Sequence, residues 1–313
     1  MLKPILLLFA TALLWSTGGI LIKFISWHPV AIAGTRCAIA LPLLVFVYYR
    51  QAYSSSKMSV IQESSDASKP VLKNVLAPAY KHGHFKFSWP LLLGSVCYST
   101  TVILFVMSTK MTTAANAILL QYSAPIYVAI FGIWLLKERV YCFDWIIIAV
   151  ALLGNLLFFF DKLSFTGFLG NILALITGVS FALLVIFMRM QKDASPLGTV
   201  VLGNILTVIV CLPFMLRDVP SSLGAWIGLV LLGLFQLGLA YILFSIAIKK
   251  VTALQGIMIP LIEPVLNPLW VLILYNEVPG TWSLIGGCIV LGAVVIRSLN
   301  LLNKYTTGKC SVS

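Results

Sequence analysis

The sequence predicts an all-α membrane protein whose ten transmembrane helices form two inverted five-helix repeats. Hydrophobic residues make up 60% of its 313 residues and charged residues only 10%, whereas about 25% of a soluble domain is charged. Ten apolar stretches follow one another along the chain, and about 20 such residues cross a bilayer as a helix. The two halves also resemble each other, which predicts the repeat.

The predicted helices lie near 4–26, 29–50, 88–109, 112–136, 141–160, 166–190, 198–217, 222–248, 252–275 and 281–302. We interpret the first as a retained helix, because its apolar run continues through Ile22 without a small-x-small cleavage site. Most connections are short and carry the remaining charge. The long connection, 51–87, is too polar for the bilayer and is expected to be mobile or to lie on the membrane surface.

Two shifts superimpose the halves. A shift of 139 residues places the fourth predicted helix on the ninth, and the spacing of 13 positions from Pro125 to Glu138 recurs from Pro264 to Glu277. A shift of 166 residues places the first helix on the sixth and pairs Trp15 with Phe181, Ile20 with Ile186 and Lys23 with Arg189. Because each half has an odd number of helices, the second half must be inverted, as in many secondary transporters.

The predicted boundaries follow from this repeat. Residues 1–140 hold helices 1–4 of the first repeat, including the long polar loop 51–87, and residues 141–162 hold the fifth helix. Residues 163–303 form the second repeat, helices 6–10, and residues 304–313 form a cytoplasmic tail.

The basic residues predict the orientation. With both termini in the cytoplasm, 16 Lys and Arg residues fall on the inner side and 4 on the outer side, with Arg36 inside the membrane. This positive-inside bias favours a multi-pass protein of the cell (inner) membrane with cytoplasmic termini. It also accounts for the net charge of +12, so no nucleic-acid partner is expected.

Several segments carry a family resemblance: Ala-Leu-Leu-Trp-Ser at 12–16, Lys23, Arg36, Trp134-Leu-Leu-Lys-Glu-Arg139, and Ile262-Glu-Pro-Val265 followed by Glu277. In these segments the chain resembles the drug/metabolite transporter superfamily, EamA-like branch. The resemblance covers both repeats. It implies a ten-helix exporter or exchanger of small metabolites, amino acids or related compounds.

The ninth predicted helix carries the strongest candidate site. Glu263 and Asn267 lie one turn apart on one face, beside Pro260, Pro264 and Pro268. Each proline frees the carbonyl four residues earlier, which lipid has no means to satisfy, so this stretch should face protein or a wet cavity. We interpret Glu263 as a substrate-amine or proton site; the alternative is a structural carboxyl group.

The fourth helix is the counterpart. Pro125 frees the carbonyl of Gln121, and Gln121 and Tyr122 are predicted to hold a polar head and an apolar body of a solute. The alternative is ordinary interhelical hydrogen bonding. Arg36 is only about seven residues into the second helix, so it either snorkels to the outer interface or pairs with Glu263 in a coupling role.

The remaining candidates have two interpretations each. Lys23 anchors the end of its helix or gates the pathway. Trp15, Tyr98, Gln236 and Tyr241 line a cavity that binds the substrate, or they only pack between helices.

The leading hypothesis is a secondary transporter that moves a small organic metabolite, an amino acid or a related amphipathic solute, by alternating access. The sequence contains no Walker phosphate loop, so a proton or solute gradient would supply the energy. No His-Glu-x-x-His or Gly-x-Ser-x-Gly motif supports an intramembrane enzyme; a non-transporting scaffold or receptor is a further alternative. Expected partners are the solute and the lipid bilayer, with no cofactor or metal, and the chain is expected to be a monomer or homodimer.

Overall fold

The computed structural model describes residues 2–64, 88–158, 160, 167–217, 219–220, 222–266 and 281–306, and most of them are helical. No β-strand occurs among them. The first half forms α1 Leu2–Trp15, α2 Gly18–Phe24, α3 Pro29–Ser64, α4 Trp89–Met111, α5 Ala114–Gln121, α6 Ala124–Leu135 and α7 Cys142–Phe158. The second half forms α8 Phe168–Met190, α9 Pro196–Met215, α10 Leu223–Leu231, a π-helical segment Leu232–Leu239, α11 Ala240–Ala247, α12 Ala253–Met258, a 3₁₀ turn Ile259–Ile262 and α13 Thr281–Thr306.

Seven helical runs in the described residues are long and apolar enough to cross a bilayer. They are Leu2–Phe24, Pro29–Tyr53, Trp89–Met111, Asn116–Leu135, Phe168–Met190, Pro196–Met215 and Leu223–Ala247. Three shorter apolar helices accompany them: Cys142–Leu157, Ala253–Leu266 and Leu284–Asn300. The all-helical class is therefore confirmed, while the count of ten spanning helices and the inverted repeat stay predictions.

The long polar connection begins later than the sequence predicts. We expected a loop over 51–87, but α3 continues through Ser64. The physical reason is local: neither Pro nor Gly occurs between Leu43 and Lys69, so nothing in the sequence ends the helix where the membrane ends. The rest of that loop, 65–87, lies outside the described residues.

Two predicted helices are broken. The first is interrupted between α1 and α2, where the hydroxyl groups of Ser16 and Thr17 donate to the carbonyls of Leu13 and Leu14 at 2.7 and 2.8 Å. The fourth is interrupted between α5 and α6, just before Pro125. Pro125 predicts the second break, because proline removes a helical hydrogen bond; the first break follows a pair of hydroxyl side chains, which compete for backbone carbonyls.

A third irregularity was not predicted. Between α10 and α11 the chain forms the π-helical segment Leu232–Leu239. Gly233 permits it to approach α3 closely, because a Cβ there would lie 2.7 Å from Ile39 and 2.8 Å from the Arg36 carbonyl oxygen. A π-helical turn widens the helix and is frequent at functional sites. This one carries Gln236.

The centre of the bundle is built from antiparallel helix pairs. The start of α4 packs on the end of α8, where a Cβ on Gly94 would lie 3.1 Å from Phe187, and a Cβ on Gly170 would lie 2.8 Å from the backbone of Met111 at the opposite ends. α3 packs on α9, and α7 and α13 pack mainly on each other.

The α1–α2 run packs antiparallel on α10 and α11 in the same manner. Phe24 contacts Gly224 at one end, and the Thr11 hydroxyl reaches the Ala240 carbonyl at 3.4 Å toward the other. These helices enclose the residues described next.

Candidate functional site

The helix breaks and the π-helical segment meet around a cavity of about 40 Å³, which is room for a few water molecules. Six of the predicted site residues line it: Trp15, Arg36, Gln121, Gln236, Tyr241 and Glu263. They come from five separate stretches of sequence, and both halves of the chain contribute. The structure thus brings most of the predicted site together at one place.

Arg36 is held inside the bundle. Its side chain is 1% exposed, and its guanidinium donates to Gln236 Oε1 at 3.2 Å and to the Val102 carbonyl at 3.1 Å. It therefore does not snorkel, and no ion pair with Glu263 forms among the described residues. Its Nε has no hydrogen-bond partner in the described part of the chain, so a buried cation on the cavity wall keeps one donor for a solute or a water molecule.

Gln236 orients this cation. Its side chain lies over Gly18, where a Cβ would come within 2.8 Å of the amide nitrogen. The missing side chain of Gly18, at the start of α2, leaves room for this close approach of Gln236, and the π-helical segment places the amide oxygen against Arg36.

Glu263 lies on the wall and is tied to Tyr122. It follows the 3₁₀ turn, is 6% exposed, and accepts a hydrogen bond from the Tyr122 hydroxyl. The same hydroxyl is 3.2 Å from the carbonyl of Pro260. Pro264 has no amide hydrogen to donate to this carbonyl, so the Tyr122 hydroxyl lies within reach of the polar gap that the proline opens.

Gln121 and Tyr122 have different positions. Gln121 lines the cavity, and its Oε1 has no hydrogen-bond partner in the part of the chain that the structure describes. Tyr122 is 1% exposed and contacts Glu263 from behind rather than lining the cavity. The carbonyl of Gln121 that Pro125 frees lies against α8, where a Cβ on Gly178 would meet it at 2.9 Å. The close approach of α8 to this carbonyl therefore depends on the missing side chain of Gly178.

Aromatic rings form the apolar side of the cavity. The Trp15 ring contacts Phe181, Tyr241 and Phe244, with centroids 5.6, 5.3 and 5.5 Å away. Tyr98 does not line the cavity: it packs edge-on against Tyr241 at 4.9 Å. Rings in this geometry form a rigid apolar wall.

Tyr98 instead connects to a polar group behind that wall. Its hydroxyl accepts a hydrogen bond from Asn204 Nδ2 at 2.9 Å, and the ring lies over Gly203, where a Cβ would come within 2.6 Å. Its role is therefore to hold Tyr241 in place against α9.

Lys23 lies at one end of the bundle, which we name the Lys23 end. Its ammonium donates to the Thr112 carbonyl at 3.2 Å, and Lys110 donates in return to the carbonyl of Ile25 at 2.7 Å. Cations at helix C-termini interact favourably with the last carbonyls. The contacts fit the anchoring interpretation of Lys23, and the gating interpretation stays a prediction.

The opposite end, which we name the Glu138 end, has a similar pair of cations. Arg189 donates to the carbonyls of Ile248 and Lys249 at 3.2 and 3.0 Å, and Lys249 donates to the carbonyl of Ala194 at 3.0 Å. Burial lowers the pKa of the Lys249 ammonium, and the charge of Asp193 partly offsets this effect.

A carboxylate crosses between the halves at this end. Glu138 pairs through Oε1 with Arg189 Nε at 3.0 Å and accepts through Oε2 from the backbone amide of Ala253 at 2.9 Å. Glu138 thereby caps α12 from the other half of the chain, while Asp144 accepts from the Tyr141 amide at the start of α7.

Some residues that line the cavity were not among the predicted site residues. Thr101, Phe105 and Phe181 also line the cavity, and Phe181 was recoverable because the 166-residue shift pairs it with Trp15. A buried ion pair, Arg297–Asp144 at 2.8 Å, joins α13 to α7.

Two of the residues singled out from the sequence are not described by the structure. Asn267, predicted beside Glu263, and Glu277, the counterpart of Glu138, lie outside the described residues.

Known proteins match this chain along most of its length. The EamA-like transporter family model matches residues 2–160 and again 168–299. An uncharacterized transporter of Archaeoglobus fulgidus is 28% identical over 209 residues, which are 66% of this chain and 75% of that protein. The uncharacterized transporter YdfC of Bacillus subtilis is 26% identical over 227 residues, 68% of this chain and 72% of that protein.

The fold is also shared with a solved crystal structure. It superimposes with a TM-score of 0.71 over 95% of this chain and 97% of that chain, at 17% sequence identity. The helices, the cavity and the double family match point in one direction: the chain is a multi-pass integral membrane protein that belongs to the EamA-like transporter family.

Proposed function

We propose that this protein is a secondary transporter that moves a small zwitterionic metabolite, such as an amino acid or a related amphipathic solute, by alternating access. The observation that carries the proposal is that a buried cation, Arg36, and a buried carboxyl group, Glu263, line the same cavity. Charged groups inside a membrane are costly and mark solute or ion pathways.

The cavity chemistry fits a solute with both charges. The Nε of Arg36 is available to a carboxylate, and Glu263 with the Gln121 side-chain oxygen offers acceptors to an ammonium group. The rings of Trp15 and Tyr241 suit an apolar side chain. Because Arg36 and Glu263 do not neutralise each other in an ion pair, a zwitterion would compensate both.

The contacts between helices support an inverted repeat. Under the predicted repeat, α4 corresponds to the α10–α11 run and α8 corresponds to α1. The contact of α4 with α8 therefore corresponds to the contact of the α10–α11 run with α1, and both pairs are antiparallel. Trp15 and Phe181, equivalent under the 166-residue shift, touch each other, as residues near a pseudo-two-fold axis do. The two matches to one family model support the same division.

Equivalent contacts at both ends support alternating access. Lys23 and Arg189, which correspond under the repeat, each donate to carbonyls at or just after the end of a partner helix, one at each end of the bundle. Transporters of this kind open one end while the other stays closed, by movement of one repeat against the other.

Flux across a membrane tests this function. Purified protein in liposomes, loaded with unlabelled L-amino acid and given the same labelled compound outside, should show counterflow for one or more of the twenty standard amino acids. The Arg36→Gln variant, which removes the cation from the cavity, serves as the matched negative. Absence of counterflow for every amino acid in the wild type would reject the zwitterion, and absence of flux for organic cations and anions as well would reject transport by this cavity.

Glu263 is the expected coupling residue. Replacing Glu263 with Gln should abolish uptake driven by a pH gradient, because the amide group does not take up and release a proton as the carboxyl group does. Counterflow at equal pH should continue. Asp193→Asn, which neutralises an exposed carboxylate outside the cavity, should leave both activities unchanged. Unchanged pH-driven uptake in Glu263→Gln would remove Glu263 from coupling.

The predicted boundaries and orientation belong to the same proposal. Residues 1–140 and 141–162 form the first repeat, 163–303 the second and 304–313 a tail, in the inner membrane with both termini cytoplasmic, and the protein acts as a monomer or homodimer. The exposed Cys142 at the start of α7 reports the orientation: a membrane-impermeant maleimide should label it in inverted vesicles and not in intact cells.

A further inference from the structure

We infer that Tyr122 is the positioning residue that transmits the protonation of Glu263 to the backbone of the 3₁₀ turn in the second half. The inference rests on the proposed proton-coupled transport and deepens it. Its basis is one hydroxyl group placed between two acceptors: the carboxyl group of Glu263 and the carbonyl oxygen of Pro260, the latter at 3.2 Å.

A tyrosine hydroxyl has one hydrogen to donate. When Glu263 is ionised it only accepts, so the Tyr122 hydrogen points to the carboxylate and the Pro260 carbonyl loses that donor. When Glu263 is protonated, its own O–H donates to the Tyr122 oxygen, and the Tyr122 hydrogen turns to the Pro260 carbonyl. The proton stays on Glu263 throughout; only the hydrogen bonds change partners.

The Pro260 carbonyl is a sensitive place for such a change. Pro264 has no amide hydrogen for it, and within the described residues its remaining backbone donor is the Glu263 amide that closes the 3₁₀ turn. A carbonyl oxygen has two lone pairs, so the Tyr122 hydrogen adds a second bond in the protonated state. The 3₁₀ turn is therefore held to Tyr122 by an additional hydrogen bond when Glu263 carries a proton.

Tyr122 also connects the two halves. It ends α5, at the break before α6, whereas Glu263 and Pro260 belong to the turn after α12. Other groups facing Glu263 are Tyr241 from α11 and Arg36 from α3, which line the same cavity without an ion pair to it. None of these makes a hydrogen bond to both Glu263 and the backbone of the turn in the described residues, so Tyr122 has this position alone.

The test needs no solute. Infrared difference spectra of the reconstituted protein between high and low pH should show a protonated-carboxyl band that is missing in Glu263→Gln. In Tyr122→Phe this band should move to higher wavenumber, because the carboxyl group has lost a hydrogen-bond partner. Hydrogen–deuterium exchange of residues 253–266, corrected for the chemical pH dependence, should be slower at low pH in the wild type, and this difference should be lost in Tyr122→Phe.

Tyr127→Phe is the matched control, because it removes a hydroxyl from α6 that makes no contact with Glu263 in the described structure. It should retain both the band position and the pH-dependent exchange. If Tyr122→Phe retains them too, or if Tyr127→Phe loses them, the inference is overturned. If Tyr122→Phe does not fold, the exchange of residues 253–266 is compared between the wild type and Glu263→Gln. Equal exchange at both pH values in the wild type overturns the inference. A pH-dependent difference that is present in the wild type and absent in Glu263→Gln supports it.

These outcomes are separate from the proposed function. A wild-type protein that shows the band and the exchange difference but moves no solute would reject transport and leave the Tyr122 contact in place. A wild-type protein that transports but shows no exchange difference would reject the role of Tyr122 alone.

Discussion

Replacing Arg36 with Gln is expected to reduce solute flux by about 10- to 100-fold without destabilising the protein. A hydrogen bond to a charged group contributes about 1.5–3 kcal/mol, and each 1.4 kcal/mol is about tenfold in binding. The guanidinium is buried and, within the described residues, donates to two neutral acceptors, so the fold bears its desolvation cost. The neutral amide removes that cost, and the apparent Tm should stay equal or rise.

Initial rates of counterflow and thermal unfolding of the detergent-solubilised protein measure the two effects. Arg217→Gln is the matched control, since this exposed arginine after α9 is far from the cavity in the fold. It should change neither quantity. A variant at Arg36 that transports at the wild-type rate would show that the cation does not contact the solute, and a large fall in Tm would show that it is needed for folding instead.

Replacing Glu138 with Ala is expected to destabilise the protein by about 1.5–3 kcal/mol, the range of a hydrogen bond to a charged group. The change leaves the buried Arg189 without its carboxylate and removes the cap from the first amide of α12. Glu138 is 19% exposed in its side chain, so solvent screens part of the loss. The measured quantity is the apparent Tm, which should fall.

The neighbouring Arg139→Ala is the control, because this exposed side chain makes no contact with Arg189 or Ala253 in the described structure. A double-mutant cycle with Arg189→Ala separates the pair from other effects. The double variant should lose less stability than the two single variants together. Full additivity would mean that the pair does not couple the two halves.

Composition and periodicity were enough to predict the helical class and most of the cavity. Glu263 and Arg36 were detectable because a charge within a long apolar run requires a compensating environment. The prolines near Glu263 and Gln121 predicted the helix breaks, since proline removes a backbone donor wherever the helix runs. These are local effects, and a single sequence contains them.

Partnerships across the bundle were not predictable in this way. The interpretation of Arg36 as a snorkelling residue or a partner of Glu263 did not anticipate Gln236, because only the π-helical segment turns that amide toward α3. Tyr122 was expected either to hold a solute or to make an interhelical hydrogen bond, and its partner Glu263, 141 positions away, became visible only in the fold. The continuation of α3 through Ser64 shows the same limit, since a polar composition indicates an aqueous location and not a loop.

The sequence by itself determined that this chain is helical and apolar, that it belongs in a bilayer, and that a few charged residues lie within its apolar stretches. Those properties depend on residue type and spacing along one chain. Only the tertiary structure decided which side chains meet: Arg36 with Gln236, Glu263 with Tyr122, and Glu138 with Arg189. The physical reason is that these pairs join residues 51 to 200 positions apart, and close packing of helices, aided by glycines such as Gly18, sets those contacts.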